Sequence, residues 1–214
     1  MKSVKSKRSY DSRGRKAQAG RNRDAALDAA ERLFLAHGYA ATSIASIARE
    51  AGLSVQTIYK VFGGKSGLVS GIYERGLLGR GDAPAYDRSD AMRAKEADPR
   101  AIMRQWGALT TEVASVVSPI RLLIRSAALT DREMEGLLEA TDRERLTRMR
   151  HHARFLKERG HLREGVTLQE ATDVLWTCSS VELYDLLVLQ RGWADSKFAR
   201  FVAEFMITAL LPRE

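Results

Sequence analysis

The spacing of apolar residues along this chain is helical, and it is most informative over residues 38–68. One set of apolar residues falls on a single face of a short helix: Ile44, Ile47 and Ala48. Ser43 directly precedes this face and can accept a hydrogen bond from an otherwise unpaired backbone N–H, as N-cap residues do. Gly52 follows, where a left-handed residue commonly ends a helix. The pattern therefore predicts a short helix that ends at Gly52.

A second short helix is predicted directly after the first. Ser54 is its candidate N-cap, and Ile58 and Phe62 supply its inward face. The residues around them are short, polar or able to contact phosphate: Val55, Gln56, Thr57, Tyr59 and Lys60. Two helices joined by a tight turn, with such residues on the second, are typical of a helix-turn-helix unit whose second helix enters a DNA major groove.

The helices on either side of this pair complete a recognisable order. The preceding helix has an apolar face and ends at Gly38; the face consists of Ala26, Ala30, Leu33 and Phe34. A new helix starts after Gly64, with Lys65 in its first turn. The order resembles the N-terminal domain of the tetracycline-repressor (TetR) family of bacterial transcriptional regulators. The matching segments are AERLFLAHGYAATSIASIAREAGLS (30–54), TIYKVF (57–62) and Lys65.

A second stretch, SSVELYDLLVLQRGWADSKF (179–198), resembles the last two helices of one branch of that family. Three places depart from the usual family pattern. Gln56 stands where a small residue is common, Val61 replaces an aromatic residue, and Gly64 and Ser66 flank Lys65 where Ser and Glu are typical. The fold expectation survives these changes, whereas base preference and phosphate contacts become less transferable.

The expected DNA contacts divide into base contacts and phosphate contacts. The Gln56 amide can bond to adenine N6 and N7 in the major groove, and Thr57 can contact a thymine methyl group or a phosphate. The residues expected on phosphates are Thr42, Tyr59, Lys60 and Lys65. Ser54 and Val55 complete the expected DNA-binding set at the start of the second helix.

Charge is concentrated at the N-terminus. Residues 1–23 contain nine of the 35 Lys and Arg residues and one acid, Asp11. The rest of the chain has equal numbers of bases and acids, so the net charge of +8 belongs to this segment. Residues 1–22 are almost devoid of apolar side chains, which predicts a disordered arm. The arm either contacts phosphates or the minor groove, or it is a solvated tail.

The sequence pattern of the remaining chain predicts further helices, so the predicted fold class is all-α. A helix over 65–78 leads into the loop GRGDAPAYD (79–87), so we expect a DNA-binding domain over 23–79 and a second domain over 80–214. In the second domain, a helix from about residue 100 should end near Pro119.

Two capping boxes predict the next two helices. Thr130 with Glu133 should open a long helix that ends at Gly160, and Thr167 with Glu170 one that runs to about Arg191, with Gly192 as its C-cap.

The last two helices indicate a dimer. The helix before Gly192 is apolar on most sides, so it must be covered by more than its own core. The TetR resemblance implies that a second copy covers it, because family members dimerise through a bundle of these two helices. The expected interface is Leu183, Leu187, Phe198, Phe201, Val202 and Phe205. The alternative is one large core within a single chain.

The resemblance also implies a small-molecule effector bound among the helices of the second domain. The residues with suitable chemistry are Met103, Trp106, Trp176, Cys178, Glu182 and Tyr184, although aromatic and Met residues at helical spacing are more often ordinary core. Arg121 and Arg125 lie one turn apart in an apolar stretch and could face an acidic effector or solvent. The sequence does not identify the effector.

Other functions find little support. The adjacent His151 and His152 point in different directions on a helix, and Gly160 interrupts the Glu158–His161 pair, so we expect no metal site and no cofactor. Cys178, the single cysteine, cannot form an internal disulfide and fits a reducing cytoplasm. No signal peptide or membrane span is expected, and no catalysis.

We therefore expect a cytoplasmic homodimeric regulator, typically a repressor, that binds an inverted-repeat DNA operator and is released by a small molecule. The alternative in another class is a ligand-independent architectural DNA-binding protein, which the basic arm favours.

Overall fold

The computed structural model describes residues 12–213, with side chains from residue 14 onward. No β-strand occurs within that range. The helices are α1 (Ser12–Ala41), α2 (Ile44–Ala51), α3 (Val55–Phe62), α4 (Lys65–Gly76), α5 (Ala85–Lys95), α6 (Pro99–Ala127), α7 (Arg132–Glu158), α8 (Leu168–Cys178), α9 (Val181–Tyr184), a π-helical turn (Asp185–Gln190) and α10 (Asp195–Leu210). They form two compact units, divided between Leu68 and Val69. The all-α fold predicted from the sequence is confirmed.

The first unit packs α2 and α3 against the inner face of α1. Its core consists of fully or almost fully buried apolar side chains, among them Ala26, Ala30, Phe34, Ile47, Ile58 and Leu68. The regular path of α1 breaks at Gly38, whose φ of 80° and ψ of 166° are not helical, as its sequence position predicted. The Phe34 and Tyr39 rings, on either side of the break, stack with centroids 5.7 Å apart.

The basic N-terminal segment differs from the expectation. Residues 12–22 belong to α1 and are helical rather than disordered, and the side chains of residues 14–21 are exposed. Polar and small residues such as Gln18 and Ala19 are compatible with an exposed helical turn, and Gln18 accepts a hydrogen bond from Arg21 one turn later. Residues 1–11, which the same expectation covered, lie outside the described part of the chain.

The second unit is a bundle in which α6 packs on α10 and α7 packs on α8. Its core includes Ile102, Met103, Leu156, Leu175, Phe198, Val202, Met206 and Leu210. Gly107 lets α6 approach α10 closely, because a Cβ at this position would lie 2.7 Å from the Ala199 carbonyl oxygen. By length and composition α6 could span a bilayer, but 50% of its most apolar window is buried inside the protein, as in a core helix.

The boundary between the two units lies earlier in the chain than the position near residue 80 where it was expected. From Val69 onward α4 packs with the second unit, since a Cβ at Gly76 would lie 2.9 Å from Val117 Cγ2. The predicted loop over 79–87 is shorter than expected, because α5 begins at Ala85.

Three predicted helix ends in the second unit are wrong. Pro119 lies inside α6, where one lost backbone hydrogen bond is outweighed by the burial of neighbours such as Val117, Ile120 and Ile124. The N-cap of α7 is Asp131, whose carboxylate accepts from Glu133 N and Met134 N, and not Thr130.

The helix predicted from Thr167 to Arg191 is interrupted. It ends at Cys178, and Ser180 caps the next one by accepting from Leu183 N. The Thr167–Glu170 capping box, Gly160 and Gly192 have the predicted conformations.

Candidate nucleic-acid interface and ligand cavity

The turn between α2 and α3 is built by local capping. Ser43 Oγ accepts from Ser46 N at 3.0 Å and so closes the start of α2. Gly52 ends α2 in the left-handed region with φ 67°, and Leu53 N then donates to Ala48 O at 2.9 Å. Ser54 Oγ accepts from Thr57 N at 3.1 Å and starts α3. These are the capping roles that the sequence predicted, and they hold α3 at a tight turn.

Helix α3 presents most of its surface outward. Ile58 is fully buried and anchors the helix in the first unit, and Phe62 is half-buried under the Arg23 guanidinium, 5.4 Å from the ring centroid. The exposed residues of the helix include four of the eight predicted DNA contacts: Val55, Gln56, Tyr59 and Lys60, with Val61 beside them. Thr57 is partly exposed, and its hydroxyl lies 2.8 Å from Ser54 Oγ. These exposed side chains form the outer surface of α3.

Two residues assigned to phosphates make structural contacts within the first unit. Thr42 is 3% exposed, and its hydroxyl lies within hydrogen-bond distance of two backbone oxygens, Gly38 O at 2.8 Å and Leu33 O at 3.1 Å. A buried hydroxyl that braces the bend after α1 cannot reach a phosphate, so Thr42 leaves the expected set. Lys65 Nζ donates to Tyr39 O at 2.6 Å and lies 4.1 Å from the centre of the Tyr39 ring, which leaves its other N–H bonds for a phosphate.

The second unit contains an apolar cavity of ≈ 120 Å³. Its wall is formed by residues of α4 to α10, including Leu77, Leu109, Val113, Ala114, Val117, Met149, Leu175, Val181 and Met206. Polar side chains also line it: Ser89, Trp106, Thr110, Arg121, Arg145, His152 and Ser179. A neighbouring cavity of ≈ 330 Å³ shares part of this wall, including Tyr73 and Tyr86.

Only part of the predicted effector set lines the cavity. Trp106 and Cys178 do, and burial raises the pKa of the Cys178 thiol to about 12, so it remains protonated and acts as a small apolar group. Met103 instead lies in the core with no exposed surface.

The other three predicted residues are engaged elsewhere. The Trp176 ring lies under the Arg145 guanidinium at 3.3 Å, and Glu182 pairs with Arg125. Tyr184 donates its hydroxyl to Asp195 Oδ1 at 2.8 Å.

The buried arginines of the cavity are mostly tied to the protein. Arg121 donates to Thr141 Oγ1 at 2.7 Å and pairs with Asp142. Arg145 donates to Trp176 O at 2.7 Å and Ser179 Oγ at 3.0 Å. Sequence reasoning raised Arg121 as a candidate but missed Arg145, because only the packing of α7 against α8 shows that it points inward.

Two residues that line the cavity each contain a buried nitrogen atom without a partner. Within residues 12–213, neither Trp106 Nε1 nor His152 Nδ1 has a hydrogen-bond partner. The two rings lie 4.2 Å apart between centroids. Burial, with Arg148 and Arg93 adding to it, holds the pKa of His152 well below its usual value, although Asp90 acts in the opposite sense. His152 is therefore neutral at physiological pH.

The outer surface of the last helices carries exposed apolar side chains. Phe201 is 39% exposed and Phe205 45%, and their rings stack with centroids 6.4 Å apart. Leu186 and Leu189 on the π-helical turn are each 51% exposed. We call these four residues the C-terminal apolar patch.

The predicted interface set is therefore divided by the structure. Phe201 and Phe205 are available to a partner. Phe198 and Val202 have no exposed surface, because they face the core of their own unit, and Leu183 and Leu187 are half-buried against that core. Adjacent residues of α10 thus lie on different faces: Phe201 is on the exposed face and Val202 on the face that packs against the core.

Comparisons with known proteins agree with the helix order of the first unit. Residues 26–72 match the family described as bacterial regulatory proteins, tetR family. The HTH-type transcriptional repressor ComR of Escherichia coli is 44% identical over 54 residues, which are 25% of this chain and 26% of ComR. The chain thus spans about a quarter of the length of the curated relatives it matches.

Solved structures match over most of the chain. The SmeT–triclosan complex has a TM-score of 0.70 at 23% identity, over 89% of this chain and 92% of that one. NalD, the secondary repressor of the MexAB-OprM multidrug efflux pump in Pseudomonas aeruginosa, has a TM-score of 0.68 at 20% identity, over 92% of this chain and 100% of that one. Residues 26–72 are therefore similar to the bacterial regulatory proteins of the tetR family, and the helices that follow share the fold of these solved structures.

Proposed function

We propose that this protein is a cytoplasmic transcriptional repressor that binds an inverted-repeat DNA operator as a homodimer and is released from it by a small molecule. The observation that carries the proposal is the outer surface of α3, where Gln56, Tyr59 and Lys60 are exposed on a helix anchored by buried Ile58. A short, capped helix with exposed polar side chains is the geometry with which helix-turn-helix proteins enter the major groove.

The inverted-repeat operator follows from the proposed dimer. One α3 helix can contact only a few base pairs, so a dimer must bring two copies to half-sites that lie about one DNA turn apart or a little more. The C-terminal apolar patch supplies a surface that a second copy would cover, because contiguous exposed apolar groups commonly mark an interaction site.

Repression and effector release are supported by the relatives and by the cavity. ComR and NalD are both described as repressors, and SmeT was solved with triclosan. The apolar cavity of the second unit would give this chain a place for a ligand of its own.

The proposal is tested by titrating the protein with a candidate inverted-repeat operator from its own gene neighbourhood and with a shuffled duplex of the same composition. We expect a specific complex of two chains on the inverted repeat, at least about a thousandfold tighter than on the shuffled duplex at physiological salt. Similar affinity for both duplexes would instead support the architectural DNA-binding alternative, which the basic N-terminal segment favours.

A further inference from the structure

The charge on the wall of the ≈ 120 Å³ cavity is positive and buried. Arg121 and Arg145 line this cavity, and their side chains are 6% and 15% exposed. Among the described residues, no Asp or Glu lines it. A buried charge is normally paired with an opposite charge, because its removal from water is costly. The carboxylates around the two arginines therefore show whether their charge is balanced.

The two arginines share one carboxylate. Arg121 Nη2 pairs with Asp142 Oδ1, and Arg145 Nη2 lies 3.6 Å from the same oxygen atom. The Asp142 side chain is 38% exposed, so water solvates it as well. Glu144 is exposed, and Glu182 is paired with an arginine at the surface. Two buried positive charges are thus offset by one partly exposed negative charge, which leaves an excess of one positive charge.

The pKa of Arg145 reflects this imbalance. Burial lowers the pKa, Asp142 acts in the opposite sense, and the neighbouring Arg121 lowers it again. A lowered arginine pKa means that its surroundings disfavour the charged form. A further negative charge beside the two guanidinium groups would therefore stabilise both of them.

The contacts of the guanidinium groups place them at the cavity. Arg145 Nη1 donates to Ser179 Oγ at 3.0 Å, and Ser179 also lines the cavity. Arg121 Nη1 donates to Thr141 Oγ1 at 2.7 Å, and Thr141 lines the neighbouring cavity, which shares part of its wall. The two groups lie close together, because both approach Asp142 Oδ1.

Both arginines have N–H bonds left for a ligand. A guanidinium group has five N–H bonds. Within the described residues, Arg121 donates hydrogen bonds to Thr141 and Asp142, and Arg145 donates to Trp176 O and Ser179. Each arginine can therefore donate further hydrogen bonds without losing the contacts that hold it.

The rest of the wall suits an apolar group. Its aliphatic and thioether side chains include Leu109, Val113, Val117, Leu175, Val181 and Met206. The neighbouring cavity of ≈ 330 Å³ differs in charge, because Glu74 and Glu144 line it and no Lys or Arg of the described residues does. An anionic group is therefore favoured in the cavity that contains the two arginines.

We propose that this cavity binds a monocarboxylate with an apolar body, whose carboxylate accepts hydrogen bonds from Arg121 and Arg145. A carboxylate matches the planar N–H edge of a guanidinium group and carries the one negative charge that balances the site. The inference deepens the proposed function by naming the ligand class, and it rests on that function in treating the cavity as the effector site.

The test compares three probes with the same alkyl chain in calorimetric titrations of the full protein. Octanoate is the anion, 1-octanol is neutral and octylammonium is a cation. We expect octanoate to bind about tenfold or more tightly than 1-octanol, and octylammonium more weakly than either. Octanoate that binds no more tightly than 1-octanol, or octylammonium that binds most tightly, would overturn the proposal.

Variants assign the preference for octanoate over 1-octanol to the two arginines. Arg121→Gln and Arg145→Gln should each reduce it, because each removes one buried positive charge. Asp142→Asn should increase it, because the shared negative charge is lost. Arg125→Gln is the matched control, since Arg125 lies one turn from Arg121 on α6 but is 59% exposed and paired with Glu182.

The opposite signs distinguish ligand binding from a purely structural role of the charges. Binding of 1-octanol by each variant reports that the cavity is still formed, and the comparison of probes on the wild type stands without the variants. The same preference in the wild type, Arg121→Gln and Arg145→Gln would contradict the assignment, as would a loss in Arg125→Gln.

A release experiment separates this inference from the proposed function. Bound octanoate should weaken operator binding if the cavity is the effector site. If octanoate binds as predicted but operator affinity does not change, the cavity assignment stands and the proposed effector control fails. If the inverted repeat is bound specifically but octanoate shows no preference over 1-octanol, the DNA-binding function stands and the ligand class is wrong.

Discussion

At the scale of single residues, we propose that Gln56 determines base preference. It is exposed on α3, near the N-terminal end of the helix, where recognition helices contact base edges. We expect Gln56→Ala to cost about 1–3 kcal/mol at one base-pair position per half-site and to relax preference there. Affinity measured across an operator library checks this.

Lys60→Ala is the matched control for Gln56→Ala, since Lys60 is also exposed on α3 and is expected on a phosphate. It should weaken binding to all sequences about equally. If Gln56→Ala leaves the preferred sequence unchanged, Gln56 does not contact the bases.

His152 makes the stability of the second unit depend on pH. Its pKa in the folded protein is lowered, chiefly by burial, and the nearby groups that act on it are Arg148 and His151 on α7 and Arg93 and Asp90 on α5. As the pH falls below about 6.5, the unfolded chain takes up the proton and the folded protein does not. The free energy of unfolding should therefore decrease by up to about 1.4 kcal/mol per pH unit from this residue.

Denaturant unfolding of the wild type and His152→Phe, near pH 7.5 and near pH 5.5, measures this effect. The wild type should lose more stability between the two values than the variant does. His151 and His161, whose pKa values are also lowered, are present in both proteins and so cancel in the comparison. Equal losses would show that His152 is protonated in the folded state.

At the scale of helices, two glycines of the second unit should respond in opposite directions to the same substitution. In Gly107→Ala, the new Cβ would lie 2.7 Å from Ala199 O and 3.1 Å from Ala203 Cβ, so α6 and α10 must separate, at a cost of about 1–3 kcal/mol. Gly136 is an exposed position of α7, and a Cβ added there by Gly136→Ala would meet nothing within 4 Å. The free energy of unfolding should therefore rise by about 0.5–1 kcal/mol. Denaturant midpoints compare the pair. Equal effects would refute the close packing of α6 on α10.

Helix ends were predicted well where local contacts determine them. Ser43, Gly52, Ser54 and the Thr167–Glu170 box act through residues at most a few positions away, so the sequence contains the information. Pro119 was misjudged because burial on both sides of it keeps α6 continuous, and no local rule accounts for burial. At the start of α7, Asp131 and Thr130 are both suitable caps, and the sequence does not show which one is used.

At the scale of the whole molecule, the C-terminal apolar patch should hold two chains together. Phe201→Asp, combined with Phe205→Asp, would place two charges on the patch and should give a folded monomer in sedimentation velocity. Both residues are partly exposed, so the unit should still fold. Leu129→Asp, at a position that is 85% exposed and outside the patch, should remain dimeric. A dimeric double variant would place the interface elsewhere.

The basic N-terminal segment should determine how strongly DNA binding depends on salt. Deleting residues 1–20 removes seven bases, Lys2, Lys5, Lys7, Arg8, Arg13, Arg15 and Lys16. The first buried residue of α1 is Ala26, so the deletion leaves the core of the first unit intact. Each lost phosphate contact should flatten the slope of log affinity against log salt by about 0.9.

The ranking of operator sequences should survive this deletion, because phosphate contacts carry no direct sequence information. A lost preference for A·T-rich flanks would indicate minor-groove contact. An unchanged slope and affinity would show that the segment is only a solvated tail.

The sequence by itself determined the all-α class, the helix-turn-helix unit and its capping, because these follow from helical periodicity and from contacts between near neighbours in the chain. It also predicted which residues lie on the outer surface of α3. In an eight-residue helix anchored by one buried residue, Ile58, most of the other side chains must face outward. The tertiary structure alone decided which residues line the cavity and which faces of the last helices are exposed. Met103 and Trp106 have similar sequence surroundings, as do Phe198 and Phe201, and only packing against distant helices separates core from cavity and core from surface.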